Sequence, residues 1–73
     1  MKKQSLQEFV KQKRKEAGLT QIELSEKSGV GLRFIRELEQ GKQTLRMDKV
    51  NNVLILFGQE LGVVELDRDN LIK

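Results

Sequence analysis

The chain has 73 residues, of which 37% are apolar and 34% charged, and its net charge is +3 at pH 7. This length predicts one small domain, and the share of Leu, Ile and Val favours a folded domain over a disordered segment. Cysteine and histidine are absent, which excludes disulfide frameworks, Cys/His zinc sites, thiol nucleophiles and His-based triads. No apolar run is long enough to cross a bilayer, so the sequence predicts a cytoplasmic protein.

Charge is distributed unevenly along the chain. Residues 1–43 carry a net charge of +4, whereas residues 44–73 carry −1. A basic first part beside a nearly neutral second part predicts two surfaces, one of which faces a polyanion. The alternative is that charge only keeps a small protein in solution, and composition alone slightly favours that alternative.

Two helices are predicted in the first part of the chain. The first covers about residues 5–17, with Ser5 suited to cap it and Gly18 to end it in the left-handed conformation. Thr20 and Glu23 then have the spacing of a capping box, in which each side chain accepts a hydrogen bond from the other residue's backbone N–H. A second, short helix therefore begins after Thr20.

Glycines separate the following helices. Gly29 ends the second helix, the third covers about residues 31–40, and the fourth covers about residues 45–57, capped by Thr44 and closed by Gly58. The fourth helix has apolar residues at helical spacing, namely Val50, Val53, Leu54 and Phe57. Residues 61–66 form a short segment with β-branched valines, which predicts a strand. A lone strand needs a partner, such as the same strand in a second copy of the chain.

The second and third helices have the dimensions of a helix-turn-helix. Gly29 lies where the turn needs a glycine, Val30 is suited to be buried behind it, and Ser25 is small enough to let the two helices approach. On the third helix, about 100° per residue places the apolar Phe34, Ile35 and Leu38 on one side. The opposite side carries Leu32, Arg33, Arg36 and Glu37.

This outward side has the chemistry of a recognition helix. Arg33 or Arg36 can donate two hydrogen bonds to guanine, Glu37 can accept one from cytosine, and Leu32 can contact a thymine methyl group. The alternative is a merely solvated helix face, which is the usual explanation for charges on a helix. The capping box, the glycine turn and the basic loop that follows favour DNA instead.

Three further polar residues are candidates for phosphate contacts. Gln21 opens the second helix beside its free backbone N–H groups. Lys42 and Gln43 follow the third helix. For each of the three, ordinary surface polarity is the alternative.

These segments resemble the Cro/repressor (XRE) helix-turn-helix family over about residues 5–58. The resemblance rests on TQIELS at residues 20–25, GV at 29–30 and IRELEQGK at 35–42. It implies a four-helix lambda-repressor-like fold, a phosphate contact by Gln21, base reading by the start and middle of the third helix, and a structural ion pair. The residues at the base-reading positions are Gly31, Leu32, Arg33 and Glu37, and those of the ion pair are Arg14 and Glu39.

Two departures narrow the resemblance. Gly31 stands where the family often has Ser or Thr, so a helix cap is lost. The tail predicts a strand where the family usually has a fifth helix. A repressor domain with such a strand, and with Thr44 and Leu45 opening the fourth helix, is similar to the HipB-like antitoxins. That similarity implies pairing of the strands across a dimer, repression of the antitoxin's own operon and binding of a HipA-like kinase toxin.

The sequence as a whole therefore predicts an all-α, four-helix DNA-binding domain at residues 1–60, a dimerisation strand at 61–67 and a tail at 68–73. The predicted dimer interface consists of Ile55, Leu56, Leu61, Val63, Val64 and Leu66. For Ile55 and Leu56, additional core of a monomer is an equally good interpretation.

The predicted function is that of a nucleoid-associated repressor that binds double-stranded DNA at an inverted repeat as a homodimer. It would use no cofactor or metal, and it would not be an enzyme or bind a membrane. The alternative function is an interaction module that docks an enzyme partner without binding DNA.

Overall fold

The computed structural model describes residues 4–63, which form four α-helices. These are α1 (Leu6–Glu16), α2 (Gln21–Ser28), α3 (Leu32–Glu39) and α4 (Met47–Ile55). No strand occurs among residues 4–63, and the predicted all-α class is confirmed for this part of the chain. None of these helices is long and apolar enough to cross a membrane.

Hydrogen-bonding side chains define the beginnings of α1 and α2. The predicted capping box of α2 is present, because the Thr20 hydroxyl accepts from the Glu23 N–H at 3.1 Å and the Glu23 carboxylate accepts from the Thr20 N–H at 2.9 Å. The Thr20 backbone bond, followed by the bond to its side chain, holds the pKa of Glu23 below its ordinary value of 4.5. Ser5 caps α1 in the same reciprocal way with Glu8.

The turn between α2 and α3 is built as the sequence predicts. Gly29 has a φ of +76°, which side-chain-bearing residues rarely adopt. Val30 is buried behind it, and the Ser25 hydroxyl donates to the Val30 carbonyl at 2.6 Å. Ser25 therefore does more than allow close approach, since its hydrogen bond ties α2 to the first residue after the glycine.

The predicted bounds of α4 are wrong at both ends. The helix begins at Met47, and its N-cap is Arg46, which makes no side-chain cap hydrogen bond. Thr44 lies exposed in the preceding loop and does not cap the helix. The helix ends at Ile55, and Phe57 contacts Phe9 from the turn that follows, edge to face, with their ring centroids 6.5 Å apart.

A single apolar core joins the four helices. Its eight buried members come from every helix and from the turn: Val10, Leu24, Val30, Ile35, Leu38, Val50, Val53 and Leu54. Phe34 and Leu45 are among the partly buried side chains that pack against it. Leu45 thus packs on the core from the loop before α4. Its apolar side chain, close in sequence to those of α4, therefore suggested a helix that begins too early.

The predicted strand does not begin within the described residues. Residues 61–63 have no regular secondary structure in the single chain, and the Leu61 N–H donates to the Asn51 side chain at 2.8 Å. Residues 64–67 of the predicted strand and the predicted tail at 68–73 lie outside the described residues.

Candidate nucleic-acid interface

The outward side of α3 carries the two arginines predicted to bind DNA. The Arg33 side chain is 92% exposed, and Arg36 is also exposed. Gly31 is the N-cap of α3 with extended backbone and no side-chain cap bond. Leu32 is partly buried, so its side chain is less outward than the helical wheel predicts. Two exposed guanidinium groups on this side of α3 can therefore donate hydrogen bonds to phosphate or guanine.

Glu37 lies between two cations of this surface. Its Oε2 atom is 3.6 Å from Arg33 Nε and 3.2 Å from Lys42 Nζ. The Glu37 side chain is 26% exposed and that of Lys42 is 45% exposed. Lys42 is therefore held by a carboxylate in the free chain, whereas Gln43 is exposed in the same loop.

A buried ion pair connects α1 with α3 and with the loop before α2. Arg14 Nε and Nη2 donate to the two carboxylate oxygens of Glu39 at 2.7 and 3.0 Å, and Arg14 Nη1 donates to the Leu19 carbonyl at 2.9 Å. The Glu39 side chain is 2% exposed and that of Arg14 is 13% exposed. The hydrogen bond from Arg14 to Glu39 raises the pKa of the guanidinium above its ordinary value.

The same carboxylate orients Gln21. Glu39 Oε1 accepts from Gln21 Nε2 at 3.2 Å in addition to its bond from Arg14. Gln21 is partly buried at the first position of α2, and this hydrogen bond fixes its side-chain amide against α3. The sequence placed these three residues in two separate roles, and the structure brings them together at one carboxylate.

The candidate dimer interface is exposed in the single chain. Ile55 is 64% exposed, Leu56 43%, Leu61 37% and Val63 102%. Val64 and Leu66 lie outside the described residues. Ile55 and Leu56 are thus not additional core of the monomer, and this alternative interpretation is wrong.

The structure adds polar contacts that the sequence analysis did not identify. The Arg33–Glu37 pair has the i, i+4 spacing of helical ion pairs and was readable from the sequence. The Lys42–Glu37 contact depends on the chain reversing at Gly41, whose φ is +88°, and no local spacing announces it. Lys49 of α4 also places its Nζ 5.9 Å from the centre of the Phe34 ring.

No group of three or more His, Cys, Asp or Glu residues within the described range is placed to hold a metal ion. The acidic side chains discussed above are engaged with cations or caps.

Comparison with known proteins adds two findings. The sequence pattern of a family described as helix-turn-helix matches residues 10–64. The chain is also 47% identical, over 51 residues, to the uncharacterized HTH-type transcriptional regulator y4mF of Sinorhizobium fredii, and the matched region covers 70% of this chain and 67% of that protein.

Proposed function

This chain belongs to the helix-turn-helix family, and we propose that it is a transcriptional regulator that binds double-stranded DNA through α3. One observation carries the proposal: a glycine turn presents a short helix whose outward side bears Arg33 and Arg36. The related regulator from Sinorhizobium fredii supports the same function. We expect the protein, as a regulator of transcription, to associate with the nucleoid in the cytoplasm.

In the proposed complex, α3 lies in the major groove. Arg33, Arg36 and Glu37 read base edges, while Leu32 and the backbone at Gly31 approach the bases at the N-terminal end of the helix. Gln21, Lys42 and Gln43 contact the flanking phosphates and set the register of the helix. Arg14 and Glu39 support the interface from within the domain, without touching DNA.

The direct test is a gel shift with the DNA upstream of the chain's own gene, with random DNA as competitor. Arg33→Ala should lower operator affinity by about 1–3 kcal/mol and relax the preference at one base pair. Lys11→Ala removes the same charge from the exposed side of α1 and is the matched control. If Arg33→Ala lowers the affinity for operator and for random DNA by the same factor, Arg33 does not read bases.

We further propose a homodimer on an inverted-repeat operator. The exposed apolar side chains at the end of α4 support it, because apolar residues grouped on a surface are typical of interfaces. A dimer would place two copies of α3 about 34 Å apart, in successive major grooves. Strand pairing through residues 61–67, with Leu61, Val63, Val64 and Leu66 as contacts, remains part of this proposal.

Sedimentation at several protein concentrations tests the dimer. Ile55→Glu should shift the protein towards the monomer and weaken operator binding. Met47→Glu is the control, because Met47 is also a large apolar side chain and is 71% exposed at the opposite end of α4. If Ile55→Glu leaves the dimer intact, the interface lies elsewhere.

The finest level of the proposal is an antitoxin that represses its own operon and binds a HipA-like kinase toxin. The resemblance to HipB-like antitoxins rests on two features, and Thr44 does not open α4 as the first of them requires. The sequence of the tail is therefore the support that is left. Co-purification with the product of a neighbouring reading frame, and loss of that product's toxicity, are the expected results. A neighbour that is neither toxic nor bound would leave a repressor without the antitoxin role.

The alternative function is an interaction module that docks an enzyme partner without binding DNA. The exposed apolar end of α4 is the observation that favours it. The salt dependence of binding separates the two functions, because release of counterions weakens DNA binding steeply with salt. An apolar protein interface lacks this dependence.

A further inference from the structure

Two of the three cations on and after α3 lie near one acidic side chain. The Oε2 atom of Glu37 is within ion-pair distance of Arg33 on the same helix and of Lys42 in the loop that follows. Arg36 makes no ion pair within the described part of the chain. A single carboxylate therefore forms ion pairs with two of the three cations that the proposed function assigns to DNA.

This arrangement matters most on DNA that offers no base-specific contact. Affinity for random DNA comes from cations that neutralise phosphates and release counterions. A cation that is already neutralised by a carboxylate contributes little to this term, and a carboxylate that faces the groove also repels phosphates. An operator that presents a cytosine amino group to the other oxygen of Glu37 offsets this repulsion.

We infer that Glu37 is a specificity-determining residue that suppresses binding to non-operator DNA by holding Arg33 and Lys42. This inference rests on the proposed DNA-binding function and deepens it. Its role is distinct from cytosine reading, because it acts even where no operator is present. Exposed ion pairs of this kind each change an equilibrium about 1.4- to 5-fold, so the combined effect is large enough to measure.

The test compares Glu37→Gln with Glu26→Gln. Both variants raise the net charge by one, but Glu26 lies exposed on α2 and makes no ion pair within the described residues. Binding of each protein to a random 20-base-pair duplex (about two turns of DNA) is followed by fluorescence anisotropy between about 50 and 200 mM salt. Circular dichroism melting shows that each variant is folded.

We expect Glu37→Gln to bind random DNA about 2- to 25-fold more tightly than the wild type, and more tightly than Glu26→Gln. The slope of log affinity against log salt concentration should also become more negative by about 0.9 for each cation released from Glu37. On random DNA, Lys42→Gln should weaken binding more in the Glu37→Gln background than in the wild type, because Glu37 no longer competes there for the Lys42 ammonium group. Such coupling identifies Lys42 as a cation that Glu37 holds.

Equal tightening by Glu37→Gln and Glu26→Gln would overturn the inference, because net charge alone would then explain the effect. An unchanged salt dependence, or equal effects of Lys42→Gln in both backgrounds, would do the same. If the wild type and all variants fail to bind any duplex at low salt, the proposed function itself is wrong and the inference fails with it.

Discussion

Replacing Glu39 by Gln tests the weight of the buried ion pair. The substitution keeps the shape of the side chain but leaves the Arg14 guanidinium, which is 13% exposed, without its anionic partner. Breaking a buried pair by removing one partner costs about 3–5 kcal/mol. We expect the lower end, about 3 kcal/mol, since Arg14 keeps some solvent and its bond to the Leu19 carbonyl.

This loss is large for a chain of this size. Domains of 73 residues have unfolding free energies of roughly 4–11 kcal/mol. Urea unfolding of the variant, followed by circular dichroism, should therefore show a midpoint lower by about 3 M, given a slope near 1 kcal/mol per M. Protein concentration must be held constant, because a dimer links stability to concentration.

The matched control is Asp48→Asn. Arg46 donates two hydrogen bonds to the Asp48 carboxylate at 3.1 and 2.7 Å, a geometry close to that of the buried pair, but the two side chains are 68% and 64% exposed. An exposed pair contributes about 0–1 kcal/mol. Similar losses in Glu39→Gln and Asp48→Asn would refute the reasoning, because burial would then make no difference to two pairs of the same geometry.

Three other substitutions test the local structure by urea unfolding. Gly31→Ser should stabilise the chain by about 0.5 kcal/mol, because the N-cap of α3 has extended backbone, open space and no side-chain cap; a loss would show that the hydroxyl does not cap. Gly29→Ala should cost about 1–2 kcal/mol through its left-handed φ alone, since a Cβ there meets nothing within 4 Å. The pKa of Glu23 is lowered by Thr20, so its contribution is complete above about pH 4.5 and is lost as the pH falls through the lowered pKa. Glu23→Gln should therefore lose less stability than the wild type between about pH 5 and pH 3, and an identical pH profile would contradict the assignment.

The sequence predicted α1 and α2 well because local signals mark where these helices begin and end. Ser5, Thr20 and Gly29 act through hydrogen bonds or φ angles that depend on residues within a few positions, so local spacing is enough to locate α1 and α2. The start of α4 has no such signal, because Arg46 caps it without a side-chain bond. There the apolar spacing was misleading, since Leu45 packs on the core from a loop.

The site divides in the same way. The amino acids exposed on α3 follow from helical periodicity, which requires only the helix bounds. The contact from Gln21 to Glu39 spans 18 positions, and it forms only when α2 and α3 pack at their particular angle. The family resemblance implied the Arg14–Glu39 pair, but neither resemblance nor spacing indicated that the same carboxylate also holds Gln21.

Glu37 and Glu39 show how one short helix serves both stability and recognition. Two positions apart on an α-helix correspond to about 200°, so the two carboxylates point to nearly opposite sides of α3. Glu39 turns inward, where its 2% exposure makes its pairing with Arg14 strong and permanent. Glu37 turns outward, where solvent makes its pairs with Arg33 and Lys42 weak enough for operator DNA to displace them. The same residue type is thus a fixed support on one side of α3 and an exchangeable partner on the other, because the two carboxylates differ in burial and in the number of hydrogen bonds that they accept.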